Sequence, residues 1–157
     1  MNIISEHKED ITGVVRKITG YMNLECQVEL KENEYDSTPS LAVSVYAPEN
    51  ARFLIGKNGQ NLQAFEHVVK AILTKKTKQT LPVILDVNDY RKSRATYLID
   101  VAKHAVTRVR TTQKAEALVP MPSHERRIVH MELAAYPDIT TESIGNEPQR
   151  RIVIKPL

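Results

Sequence analysis

The chain of 157 residues contains one cysteine, five glycines, two phenylalanines and no tryptophan. With Cys26 alone, neither an internal disulfide nor a cysteine-cluster zinc site can form. Cys26 alternates with apolar neighbours and is expected on the buried face of a strand. No apolar run approaches the roughly 18 residues of a membrane span. The opening Met1-Asn2-Ile3-Ile4-Ser5-Glu6-His7-Lys8-Glu9-Asp10 lacks the apolar core of a signal peptide, so a cytoplasmic protein is expected. The length suits one ordinary domain or two small ones. No internal repeat or low-complexity segment is found.

The net charge of +3 conceals an asymmetry. Residues 1–50 carry 4 Lys/Arg against 9 Asp/Glu, and residues 51–157 carry 18 against 10. Charge divided in this way suggests a basic binding face in the later part, although many surface lysines simply solvate a fold.

That later part opens on Gly56-Lys57-Asn58-Gly59, between the apolar Phe53-Leu54-Ile55 and an amphipathic run starting at Gln60. With so few glycines in the chain, two placed three apart stand out. Glycine lets the backbone turn tightly and approach a ligand closely. A loop that opens a helix presents N–H groups where phosphate can reach them, and Lys57 adds a mobile charge. The pattern reads as a GXXG loop that clamps a single-stranded nucleic-acid backbone. Asn-Gly is also a strong hairpin dipeptide, but Leu62, Phe65, Val69, Ile72 and Leu73 follow at helical spacing, which disfavours a hairpin. Neither GxxxxGK[ST] nor GxGxxG is present.

Along the chain, apolar spacing predicts a helix over 3–20, a strand from Leu24 to Leu30, a polar loop from Lys31 to Ser40, and a strand at 41–45 stopped by Pro48. One helical turn at 50–55, a helix over 60–76 and a strand at 83–87 follow. The order is α-β-β-α-α-β. A second unit begins with a long helix over about 90–111. Leu98, Val101, Ala105, Val106 and Val109 mark its apolar face, and Arg91, Lys92, Arg94, Lys103, Arg108 and Arg110 its other face. A short strand at 115–119, a helix from an N-cap at Ser123 to about Ala134, and a hairpin of 139–144 with 151–154 complete it. The expected domains are 1–88 and 89–157.

In the short helix, Arg126 and His130 are four apart and share a face, while Ile128 and Val129 point toward the core. Arginine offers a planar fork of donors suited to phosphate, and histidine can donate a hydrogen bond, stack or carry charge. An exposed polar pair without a ligand has the same spacing. Arg150 and Arg151 would supply further cations nearby. No metal site is expected, because no second histidine or carboxylate stands at ligand spacing on that face, and nothing calls for a cofactor.

These segments together resemble the bacterial Jag/KhpB family, the SpoIIIJ-associated proteins. Leu54-Ile55-Gly56-Lys57-Asn58-Gly59-Gln60-Asn61-Leu62 looks like its KH signature, and Leu85-Asp86-Val87-Asn88-Asp89-Tyr90-Arg91 is similar to its junction segment. Arg126-x-x-x-His130, with Pro120-Met121-Pro122 before it and Ser143-x-Gly145 and Arg151-Ile152-Val153-Ile154 after it, resembles its R-3-H module. That module is named for an arginine and a histidine with three residues between them. The resemblance spans nearly the whole chain, in the family's domain order. It implies an α+β fold, a type II-like KH domain followed by a small α/β R-3-H domain. It also implies a non-catalytic protein that binds single-stranded RNA, with single-stranded DNA as a further candidate, acting as a post-transcriptional regulator linked to the cell envelope or division. Ile55, Gly56, Lys57, Asn58, Gly59, Gln60 and Leu62, with Arg126, Arg127 and His130, would form the RNA-binding sites; Ile55, Leu62 and the second or third strand would line a groove for bases. Many members carry an additional N-terminal Jag-N domain, which this sequence does not show.

A second reading is a protein-interaction scaffold that pairs with a small KH-domain protein, nucleic acid being incidental. A third, an enzyme using Asp86, Asp89 and Asp100 as metal carboxylates, is disfavoured: Asp86 alternates with buried strand positions and Asp100 lies far along the helix from Asp89.

Overall fold

A computed structural model describes residues 3–33 and 40–157. The fold is α+β, and the chain divides into two compact units, Met1–Arg91 and Lys92–Leu157.

The first unit contains α1 (Ile3–Glu6), α2 (Lys8–Tyr21), β1 (Gln27–Asn33), β2 (Ser40–Tyr46), α3 (Ala51–Ile55), a 3-10 turn at Lys57–Gly59, α4 (Gln60–Thr77) and β3 (Val83–Val87). After the short α1, the order is the α-β-β-α-α-β expected from the sequence. The sheet order is β1-β2-β3, with β2 antiparallel to β1 and parallel to β3. Parallel strands cannot be joined by a tight hairpin, so α3, the turn and α4 form the crossover. Leu41, Val43 and Val45 of β2 and Val83, Leu85 and Val87 of β3 are buried on one sheet face. They pack with Ile11, Val14 and Val15 of α2 and Leu62, Phe65, Val69 and Leu73 of α4. Ile72, expected on that helical face, is instead 40% exposed.

Strand β1 starts later than its alternation suggests. Ladder pairing begins at Gln27 opposite Tyr46. Beyond Tyr46, the Ala47 N–H donates to Asn88 Oδ1 at 2.9 Å and its carbonyl accepts from Asn88 Nδ2 at 2.8 Å. Leu24 and Cys26 therefore have no ladder partner there, and they pack on the core from an extended lead-in. Cys26 is only half-buried, with its thiol donating to Thr19 Oγ1 at 3.2 Å. At the other end β1 runs to Asn33, into the segment expected to be a polar loop. The rest of that expectation, residues 34–39, lies outside the described residues.

The second unit takes most of α5 (Tyr90–Thr112), with β4 (Glu116–Ala117), α6 (Ser123–Leu133), β5 (Ile139–Ile144) and β6 (Arg151–Pro156). Its sheet is antiparallel in the order β4-β6-β5. Leu98, Ala102, Ala105, Val106 and Val109 of α5 pack with Val129 and Leu133 of α6 and Ile139, Ile152 and Ile154 of the sheet. Ser123 is the first helical residue of α6 rather than its cap; Pro122 holds the N-cap position, with its carbonyl accepting the Arg126 N–H at 3.0 Å. The first turn is tied to α5 by a buried fork, Arg94 Nε to Glu125 Oε1 at 2.9 Å and Arg94 Nη2 to Glu125 Oε2 at 3.1 Å. No helix among the described residues is long and apolar enough to cross a membrane.

Candidate nucleic-acid interface

Helix α3 ends where Gly56 takes a φ of 70°, its N–H donating to Arg52 O at 2.8 Å. The chain then turns through Asn58 at φ 53° and Gly59 at φ 80° before α4 begins. Both glycines are required sterically as well as conformationally. A Cβ on Gly56 would lie 2.5 Å from Asn61 Cγ, and one on Gly59 would lie 2.8 Å from Tyr90 Cε1. Asn61 closes the loop from behind, donating from Nδ2 to Phe53 O at 2.9 Å. Gly59 is buried and Gly56 half-buried, while Lys57, Asn58 and Gln60 are exposed. The tip is thus a fixed turn that presents one cation and one amide outward.

An open apolar groove of about 260 Å³ lies beside this loop. Ile18 of α2, Met22 just past its end, Phe53 of α3, and Ala64, Phe65 and Val68 of α4 line it, with Phe53 51% and Val68 46% exposed.

In the second unit, α6 and β5 lie side by side. His130 is exposed on α6, its Nδ1 2.6 Å from Thr141 Oγ1 on β5. Two residues further along the same strand face, Ser143 Oγ accepts from Arg150 Nε at 2.9 Å. Arg126, one turn before His130, is only 9% exposed and belongs to the inward face of α6 with Val129 and Leu133. Its Nη1 donates to Met121 O at 2.7 Å and contacts Glu147 Oε1, also at 2.7 Å. The cations of α5 are largely committed elsewhere. Arg91, Arg94, Lys103, Arg108 and Arg110 pair with Glu66, Glu125, Glu132, Glu116 and Asp138 in turn.

Residues 96–156 match the R-3-H domain family. The RNA-binding protein KhpB of Clostridium symbiosum is 30% identical over 133 residues, covering 85% of this chain and 59% of that protein. KhpB of Bacillus subtilis is 38% identical over 108 residues, 68% of this chain and 52% of its own length. KhpB of Lactiplantibacillus plantarum is 38% identical over 101 residues, 64% of this chain and 31% of its own length. The chain carries an R-3-H domain and is similar to KhpB proteins over most of its length. It spans between 31% and 59% of the length of these three relatives.

The predicted site residues fall into three groups. Lys57, Asn58, Gln60, Arg127 and His130 are exposed and available to a ligand. Gly56 and Gly59 shape the loop. Ile55 is half-buried against the core and Leu62 is 2% exposed within it, because both sit where α3 and α4 seal the sheet. Leu62 is therefore a support and does not line the groove described above; the open apolar surface beside the loop is that of Phe53, Met22 and Val68. Arg126 likewise is not the freely exposed partner of His130 that the spacing suggested: its guanidinium is held inward by the Met121 carbonyl and covered by Glu147. Asn61, Thr141 and Glu147 were not picked out in the sequence; the family-like Ser143-x-Gly145 was the nearest signal to the last two.

Of the three aspartates considered for metal chemistry, Asp86 has a structural task. Asp86 Oδ1 accepts the N–H of Val87 at 2.9 Å and of Arg91 at 3.2 Å, bracing the start of α5. Burial pushes its carboxyl above the ordinary value, against those two hydrogen bonds. Among the described residues, no three His, Cys, Asp or Glu side chains converge as metal ligands.

Proposed function

We propose that the chain is a non-catalytic, cytoplasmic protein that binds single-stranded RNA through two sites. The observation that carries this reading is the loop tip, where Lys57 and Asn58 project outward from a turn fixed by two glycines. The relatives are named RNA-binding proteins, which supports RNA as the ligand. In the first unit, a KH-like domain, the loop would grip the sugar-phosphate backbone of about four nucleotides. In the second, the R-3-H unit, His130, Arg127 and Arg150 would meet a further stretch of backbone, with Arg126 beneath them. A regulatory role acting on transcripts after their synthesis fits such sequence-tolerant gripping.

The direct test is titration of single-stranded RNA against K57D/N58D. Reversing the charge at the tip is expected to weaken binding at least about tenfold, through loss of attraction and added repulsion toward phosphate. Unchanged affinity in a variant that melts like the wild type rejects the loop's role.

The groove of Phe53, Met22 and Val68 favours one second reading. Apolar surface that stays open in a small domain commonly marks a protein contact, so a small KH-domain protein would pair there with nucleic acid incidental. Co-purification that survives nuclease treatment and is lost in F53D supports it; loss of the partner on nuclease treatment refutes it.

A further inference from the structure

Two ion pairs in the second unit differ in a way that bears on ligand binding. Arg94 and Glu125 meet through two parallel bonds, with side chains 14% and 3% exposed. Such a closed fork is structural. Arg126 and Glu147 meet through one contact, with side chains 11% and 57% exposed. Glu147 lies on the turn between β5 and β6, on neither strand. Only Nη1 of Arg126 is engaged by protein. Among the described residues, Ser40 Oγ is the one buried side-chain polar atom without a partner, so the remaining donors of Arg126 reach solvent. Elsewhere in the same unit His130 meets Thr141, and Arg150 donates to Ser143 and to the Gly145 carbonyl.

A guanidinium this enclosed needs an anion, since an unpaired buried charge is costly. Here the anion is supplied by an exposed side chain that can swing away, and a carboxylate oxygen and a phosphate oxygen satisfy the same donor geometry. We infer that Glu147 holds the place of a backbone phosphate on Arg126, and that a bound strand displaces it. Arg126 is then a masked phosphate contact, opened only when Glu147 withdraws. Glu147 thereby sets the affinity of the second site and discriminates against ligands too weakly charged to compete with it. The inference rests on the RNA reading above.

The test uses the whole chain, a single-stranded oligouridine and a salt series. E147Q keeps the shape of the side chain but removes the competing charge. It is expected to bind about fivefold more tightly, the scale of one partly exposed ion pair. Its log–log salt dependence is expected to match the wild type, because the bound strand makes the same contact once Glu147 has left, whereas R126A flattens it by about 0.7. R126A/E147Q should lose the gain in affinity and show the flattened slope of R126A. E147D, whose carboxylate falls short of the fork, should move in the same direction as E147Q, and melting curves verify that each variant is folded. Binding by the wild type with no gain in E147Q or E147D, or a gain that persists in R126A/E147Q, overturns the role of Glu147. If the wild type fails to bind, or K57D/N58D binds as well as it does, the RNA reading itself is overturned.

Discussion

Gly59 shows how narrow the choice of side chain is at the loop. Its φ of 80° is strained for any residue with a Cβ, and that Cβ would sit 2.8 Å from the Tyr90 ring. G59A is therefore expected to destabilise the protein by about 1–3 kcal/mol, the cost of a forced left-handed residue, with the clash added. Gly13, inside α2, has nothing within 4 Å of its missing Cβ and no positive φ. G13A should instead stabilise by up to about 1 kcal/mol, because alanine is the better helix former. Paired thermal melts decide the matter: if G59A melts with G13A at or above the wild type, the loop is not sterically fixed. The glycines were legible because so few occur in the chain. The state of Arg126 was not. Spacing shows that it shares a face with His130, yet its burial depends on the Met121 carbonyl and on Glu147, which lies beyond the helix on the turn between β5 and β6.

Among elements, the joint between α4, β3 and the start of α5 rests on one carboxylate. Glu66 accepts from Lys70 at 2.7 Å, from the Leu85 N–H at 3.0 Å and from Arg91 Nη2 at 2.6 Å. Burial pushes its carboxyl up, but these hydrogen bonds and the charges of Arg91 and Lys70 outweigh burial and leave it below its ordinary value of 4.5. A depressed acid contributes stability that is fully present above pH 4.5 and is lost as pH falls through the lower, folded value. Asp86 has the opposite sign: raised above its ordinary 3.8, it favours the fold below that pH, an advantage lost as pH rises through the folded value. E66Q should therefore melt at a lower temperature than the wild type at pH 7. The gap should narrow as pH falls below 4.5, while D86N should not reproduce that narrowing. A constant gap from pH 7 to pH 3 would show that Glu66 acts through shape and not through charge. Most elements were readable from period alone, since Leu41, Val43 and Val45 alternate and Ile11, Val14, Val15 and Ile18 recur at helical spacing. The exception, the late start of β1, arises from Asn88, which takes both backbone groups of Ala47 from 41 positions away. The basic face of α5 failed for a similar reason: Arg110 and Arg94 find their acids 28 and 31 positions later, beyond the reach of any helical pattern.

For the whole molecule, pairing of those cations shifts the expected binding strength away from net charge and toward a few open groups. On the proposed reading, Lys57 and Asn58 in one unit, and Arg127 and His130 in the other, would form two modest sites on one chain. Two such sites act together only when a single strand reaches both, and the second contact then forms at an effective concentration in the millimolar range. An RNA of about five nucleotides satisfies one KH-type loop and little else. Against it, K57D/N58D should abolish most binding while R126A changes little. An RNA of about twenty nucleotides should bind the wild type more tightly by about a hundredfold, far beyond the gain from having more registers to choose from. Either lesion alone should then remove most of that advantage, because bivalent binding needs both grips. Equal losses from R126A on short and long strands would mean that the R-3-H site acts without the loop, whereas a long strand that binds no better than a short one would leave the two units working as independent binders.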